Sequence, residues 1–182
     1  DLKNRIITEF KAIRFAYKLY EGIEATNENL LFEVRNQILA YASIYEAVIE
    51  NVLNSYYSDT VEFDSLMHHI IPMKISIPQS KQDILQNVLS HDGKVIVPFY
   101  YTRKRKEKPQ VRFDEKCRTA EGLGLIHKFI NDDGVEIDLP SEIIEIYSYR
   151  NGIHIIAEQR KGINYELDLS KKAYRRMRPG VS

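Results

Sequence analysis

The sequence predicts a mainly α-helical protein, an antiparallel helical bundle with a small β-hairpin or extended basic insertion. Apolar residues recur at spacings of three and four from Leu2 to about Glu21. They do so again from Leu30 to about Tyr57, without Gly or Pro. A third apolar stripe runs late in the chain through "DLPSEIIEIYSYRNGIHII". The middle is different, because Pro72, Pro78, Pro98 and Pro109 each limit helix continuation.

The first helix presents Ile6, Phe10, Ile13, Tyr17 and Tyr20 on one face. The second, capped by Asn27 or Asn29, turns Ile38, Tyr41, Ile44, Tyr45, Val48, Val52 and Leu53 inward and forms the backbone of the domain. A short helix follows from Gln79 to Leu89, and Gly93 in "SHDGK" marks a turn. "KVIVPFYY" is β-branched and aromatic, and a basic segment separates it from "QVRF", which together read as a hairpin or an extended arm. Helical spacing returns in "FDEKCRTAEGLGLIHKFI", is interrupted by Gly122 and Gly124, and is closed by "NDDG". In the last long stripe Asp138 or Ser141 caps, Pro140 suits the first turn, and Ile143, Ile146, Tyr147 and Ile153 face inward. "INYELDL" alternates briefly, and "LSKKAYRRM" reads as a short basic terminal helix.

A chain of 182 residues suffices for one domain, residues 1–182, with a core that needs neither disulfides nor a structural metal. Lys plus Arg equals Asp plus Glu at 26 each, so no overall field draws the whole surface onto nucleic acid or an anionic membrane. The halves differ. Residues 1–100 carry 9 basic and 13 acidic side chains and residues 101–182 carry 17 and 13, leaving the second half positive by four. No apolar run approaches the roughly 20 residues needed to span a bilayer, and "DLKNRIITEF" is unlike a signal peptide. Cys117 is the sole cysteine and fits a reducing compartment. The expectation is a soluble cytoplasmic protein without cofactor or metal.

The chemistry-bearing residues cluster in "YRNGIH". Continued as helix, Arg150 and His154 lie about 40° apart around the axis and share a face, with Asn151 beside them. A guanidinium fork, an amide donor and an imidazole near neutrality are the groups a metal-free phosphodiester cleavage needs. The same three residues on an apolar helix also suit capping its last turn and bonding nearby carbonyls.

"YRNGIH" resembles the signature of the HEPN superfamily, helical bundles marked by Arg, often followed by Asn, and a His a few residues later near a helix end. "ILAYASIYEAVIENVL" resembles the long early helix of those bundles, with Glu46 where an acidic residue often falls. The resemblance implies a metal-independent endoribonuclease of toxin, anti-phage or CRISPR-associated type, acting on RNA as a homodimer whose two motifs line one cleft. A partner such as an antitoxin or a defence complex is implied as well. Arg150 would stabilise the pentacoordinate phosphate, His154 would move a proton, Asn151 would position them and Glu46 would orient one of them. The alternative it leaves is a catalytically silent HEPN-like scaffold for dimerisation or partner binding. Two departures stand out. Three residues separate Arg150 from His154 where active members usually have four to six, and Ile156 stands where some toxins carry a modifiable tyrosine.

Elsewhere, "TRKRKEKPQVRFDEKCR" holds eight basic and three acidic residues beside Tyr100, Tyr101 and Phe113. Arg103, Lys104, Arg105 and Lys106 are its candidate RNA-binding residues, with the aromatics stacking on unpaired bases. A solvated loop explains the same charges. "KKAYRRMR" adds five cations. His68 and His69 are adjacent and point apart, which does not suit a metal pair. His91 and His127 read as surface or helix-end residues, Gly122 and Gly124 as packing or a bend, and Cys117 as an inert thiol.

Overall fold

Helical periodicity is realised almost residue for residue in the two long elements, α1 (Leu2–Gly22) and α2 (Asn27–Tyr56). The computed structural model describes residues 1–24, 26–89, 92–151 and 167–177. Asp1 caps α1 through its carboxylate, which accepts the Lys3 N–H at 3.0 Å. Thr26, rather than Asn27 or Asn29, occupies the cap position of α2. There follow α3 (Val61–Leu66), β1 (His68–Lys74), α4 (Gln79–Val88), β2 (Phe99–Arg105), a 3-10 turn (Lys108–Gln110), α5 (Phe113–Gly122), β3 (Phe129–Ile130), β4 (Glu136–Ile137), α6 (Leu139–Arg150) and α7 (Leu167–Met177). The fold is mainly α, as expected.

α2 is the central element, in contact with α1, α5, α6 and α7. Its buried Val34, Ile38, Tyr41, Tyr45, Ile49 and Leu53 repeat at three and four residues, so one stripe meets all four neighbours. Each such side chain contributes about 1.5–3 kcal/mol on leaving water. α7 is fixed on α2 by buried polar contacts. Tyr45 donates its hydroxyl to the Ala173 carbonyl, Ser170 donates to the Gln37 side-chain oxygen, and the Gln37 amide donates to Glu33 at 2.9 Å. Glu142 of α6 pairs with Arg176, and Glu145 accepts from Lys172 at 2.8 Å, which binds the basic face of α7 to α6.

The β structure departs from expectation. β2 pairs antiparallel with β1, His68 opposite Arg105 and Lys74 opposite Phe99, and α4 lies in the connection between them. The expected partner "QVRF" instead crosses from the 3-10 turn into α5, and its Val111 and Phe113 are buried. Burial of those two side chains in the helical core outweighs their strand preference. The basic segment is strand as far as Arg105 and then runs through the 3-10 turn into α5. Pro72 is tolerated in β1 because each strand of a two-stranded ribbon keeps one edge that needs no donor.

Helical spacing after α5 also stops earlier than expected. Gly124 takes φ +73, a left-handed conformation suited to glycine, and the chain leaves the helix there as a bend. "NDDG" then makes a hairpin turn between β3 and β4. The Asn131 side-chain oxygen accepts the N–H groups of Asp133 and Val135 at 3.1 and 2.8 Å. α6 starts as predicted, with Asp138 accepting from Ser141 N–H at 3.1 Å and Pro140 in the first turn. It ends at Arg150 with Asn151 as its cap. The alternating "INYELDL" lies partly outside the described residues, and its end from Leu167 belongs to α7.

Candidate functional site

Packing of α6 on α2 brings together residues far apart in sequence. Ile143 and Ile146 are buried on one side of α6. Tyr147 and Arg150, three residues apart, lie at the edge of that face and reach Glu46 of α2. Arg150 Nη1 donates to Glu46 Oε2 at 2.6 Å and to the Tyr147 hydroxyl at 2.9 Å, while that hydroxyl donates to Glu46 Oε1 at 3.0 Å. The guanidinium also stands 5.3 Å from the centre of the Tyr147 ring. That ring stacks on Phe113 of α5, with centroids 3.9 Å apart.

Three groups are therefore closed into one cycle of hydrogen bonds, and each fixes the others. Burial raises the Tyr147 hydroxyl above its ordinary pKa, and acceptance by Glu46 adds to this, so it stays a neutral donor. Partial burial works to lower the Arg150 pKa, but the bond to Glu46, the charge of that carboxylate and the bond to the Tyr147 hydroxyl outweigh it and leave the guanidinium more firmly protonated. The Arg150 side chain is nevertheless 35 % exposed, so it is held without being sealed.

Beside this cycle a cleft of about 620 Å3 opens between α2, α3, α5 and α6. Glu46, Tyr147 and Asn151 line it, with Asn54, Arg112 and Lys116 opposite or along its length. Arg150 is not among the residues that line it, and reaches it only through its partners Glu46 and Tyr147. Lys116 is engaged with Glu50 at 2.6 Å, and Arg112 with Asp114 at 3.2 Å. The lining thus mixes charges of both signs with an apolar wall that includes Leu53, Phe63, Leu66, Val111 and Phe113. Among the described residues no group of His, Cys, Asp and Glu is arranged to hold a metal ion.

Of the predicted motif, the structure joins Arg150 to Glu46 and sets the exposed Asn151 at the cleft. His154 lies outside the described residues, and so does the face it was expected to share with Arg150. Tyr147 was read as a core residue, yet its hydroxyl belongs to the site. Its place three residues before Arg150 was the available signal.

The four candidate RNA-binding residues divide. Arg103 pairs with Asp64 and also donates to the Asp64 carbonyl at 3.3 Å. Lys106 is largely buried and pairs with Glu115 at 2.7 Å. Lys104 and Arg105 are exposed and make no ion pair among the described residues. The bond from Arg103, with its charge, holds the Asp64 carboxyl below its ordinary range. The strand leads directly to the cleft, because Lys106 N–H donates to the Met67 carbonyl at 2.7 Å and Met67 lines the cleft wall. On β2 itself Phe99 and Tyr101 meet edge to face at 5.4 Å, both exposed.

Among the remaining candidates, His68 stands 3.1 Å from Asp64 with no metal geometry, and His91 lies outside the described residues. Cys117 is fully buried, and burial pushes its thiol up to about 12, so it has no nucleophilic form near neutrality. Among the described residues no helix is long and apolar enough to cross a membrane.

No family model matches this chain, and neither does any curated protein or solved structure. The resemblance to the HEPN superfamily rests on the sequence of "YRNGIH" and "ILAYASIYEAVIENVL" alone.

Proposed function

We propose that this chain is a HEPN-like RNA-binding protein of the toxin or anti-phage defence type, which cuts RNA without a metal at the cleft beside Arg150. One observation carries the reading. Glu46 and Arg150, 104 residues apart, meet at 2.6 Å beside an open cleft of mixed polar and apolar lining, next to which a basic, aromatic strand ends. These are the two positions that the resemblance pairs.

In the reaction a ribose 2'-hydroxyl loses its proton and attacks the adjacent phosphorus. The P–O5' bond breaks, the 5'-oxygen gains a proton, and a 2',3'-cyclic phosphate and a 5'-hydroxyl remain. Arg150, swung from Glu46 toward the cleft, neutralises the charge that develops on the phosphorus oxygens. His154 carries one of the protons, a role it holds by resemblance. Asn151 donates to a non-bridging oxygen. Glu46 is a positioning residue that fixes the guanidinium before substrate arrives. Arg105, on the same face of β2 as Phe99 and Tyr101, holds the strand upstream of the scissile bond, and Lys104 adds positive charge on the other face. By the same resemblance the protein works as a homodimer with both motifs on one cleft, under control of an antitoxin or a defence complex.

A second reading has its own observation. Arg150 Nη1 is bound by Glu46 and Tyr147 of its own chain, which is the arrangement of a structural tie between α2 and α6 in a catalytically silent scaffold. Incubation with single-stranded RNA in excess chelator, beside the Arg150→Ala, His154→Ala variant, separates the two. The enzyme reading expects cleavage that falls by about 100-fold or more in the variant. Equal cleavage by both proteins removes the site, and no cleavage by a stable dimer leaves the scaffold.

A further inference from the structure

β2 is the outer strand of the two-stranded ribbon. It packs chiefly on β1, and β1 packs on α3 as well. The ladder is bracketed by the Lys106 N–H, which donates to the Met67 carbonyl at 2.7 Å, and the Ile75 N–H, which donates to the Pro98 carbonyl at 2.9 Å. Odd-numbered residues of β1 and even-numbered residues of β2 therefore turn their main-chain groups toward each other, and the intervening residues turn theirs outward. On β1 that outer row contains Pro72, which has no N–H to offer. On β2 it consists of Phe99, Tyr101, Arg103 and Arg105, whose main-chain groups have no hydrogen-bond partner among the described residues. One edge of the ribbon is blocked and the other is open.

The residues along the open edge supply an independent observation. Phe99, Tyr100 and Tyr101 are each more than half exposed, Thr102 follows, and Arg103, Lys104 and Arg105 complete the strand. Aromatic residues and cations thus occupy mirror positions about Thr102. Laid antiparallel against a copy of itself with Thr102 opposite Thr102, the strand sets Phe99 opposite Arg105, Tyr100 opposite Lys104 and Tyr101 opposite Arg103. Every ring then faces a cation. The same register matches the outward main-chain groups of Phe99 with those of Arg105 and of Tyr101 with Arg103, so hydrogen bonds and side chains ask for one alignment. Directly opposite side chains share a face, with Cβ atoms about 4.5–5.5 Å apart, within reach of a cation–π contact. Other alignments lose this match. A parallel copy sets cation beside cation, and a slip of the register brings Arg103 against itself. In the matched register Arg103 lies nearest the centre, and its ion pair with Asp64 offsets repulsion between the two copies.

We propose that β2 pairs edge to edge with β2 of a second copy of this chain, giving an antiparallel sheet in the order β1-β2-β2-β1 with its two-fold axis at Thr102. About eight main-chain hydrogen bonds close the seam. This contact does not rest on the reading of the cleft beside Arg150, and it uses residues other than the Arg150 motif whose association the resemblance implies. It occupies the edge of β2 and leaves both faces open. One strand pair buries less than the roughly 1,200–2,000 Å2 of a stable interface, so the pairing is micromolar rather than nanomolar.

Cysteine cross-linking reads the register. Cys117 is buried and its thiol is pushed up to about 12, so it stays out of the reaction. Opposite residues of a non-hydrogen-bonded pair have Cα atoms about 4.5 Å apart, inside the disulfide range. Thr102→Cys should therefore oxidise to a dimer at least about tenfold faster than Lys104→Cys, whose two copies lie roughly 14 Å apart. Lys104→Cys mixed with Tyr100→Cys should link as a heterodimer, and Arg150→Ala should leave all these rates unchanged. Sedimentation equilibrium of the unaltered chain between about 1 and 500 µM should show a rise in mass. Tyr101→Pro removes one outward N–H while leaving β1 its donors, and should move that rise to at least about tenfold higher concentration. No disulfide in Thr102→Cys, or Lys104→Cys linking as fast, overturns the proposal. A constant mass across the range overturns it too, and capture of an acidic peptide of alternating Glu and Val by such a chain would give the edge to a strand of another protein.

Discussion

The interaction between Glu46 and Arg150 can be measured apart from any activity. At 35 % and 30 % side-chain exposure, the pair lies between surface ion pairs, worth about 0.2–1 kcal/mol, and buried ones, whose disruption costs about 3–5 kcal/mol. Tyr147 donates to the same carboxylate and keeps it partly satisfied when Arg150 is lost, which argues for the lower half of that range. A coupling of about 1–1.5 kcal/mol follows for the cycle of Glu46→Gln, Arg150→Gln and the double variant. Urea denaturation of the four proteins reads it as a difference in midpoints at constant slope. In thermal unfolding each 1 kcal/mol corresponds to about 2–4 °C for a chain of this size. The coupling should shrink in 1 M salt but persist, because a partly buried contact is screened incompletely. A coupling below about 0.3 kcal/mol would mean that the pair neither joins α2 to α6 nor fixes the guanidinium, and the positioning role of Glu46 would go with it.

Three other outcomes follow from the same geometry. Ile146, fully buried where α6 meets α2, should cost about 2–5 kcal/mol as Ile146→Ala by chemical denaturation, against less than about 0.5 kcal/mol for the exposed Ser141→Ala. Cys117 should resist alkylation at pH 8 in the folded protein and react at the rate of a free thiol in 8 M urea; rapid native modification would contradict its burial. The Asp138 carboxyl is held below its ordinary range first by Lys128 and then by the Ser141 N–H. Its folded pKa is depressed, so the unfolded chain binds the proton more readily, and the stabilisation is present above the ordinary value of about 4 and lost as pH falls through the folded one. Asp138→Asn should accordingly lower the melting temperature at pH 7 and lose that difference at pH 2; an equal deficit at both values would contradict the assignment.

The long helices were legible because each buries one stripe, and a period of 3.6 records that in sequence. Strand β1 was not. "HHIIPMK" does not alternate and contains Pro72, and its partner β2 lies beyond an intervening helix, so neither periodicity nor a turn signal marks the pairing. "QVRF" misled for the opposite reason, since Val111 and Phe113 have strand character but are buried against helices. At the site, Glu46 came from likeness to a family pattern, and no local rule relates positions 104 residues apart. A charge count found the basic segment but not that Asp64 and Glu115 neutralise Arg103 and Lys106, because those partners are set by the fold.

Cleavage of RNA through its own 2'-hydroxyl, as proposed for the cleft beside Arg150, can be read on a DNA oligonucleotide carrying a single ribonucleotide, incubated with the protein in excess chelator. One cut is expected, immediately 3' of that residue, with a 2',3'-cyclic phosphate end that disappears in Arg150→Ala. Cutting at deoxyribose positions, or an unchanged cut in Arg150→Ala, would rule the proposal out.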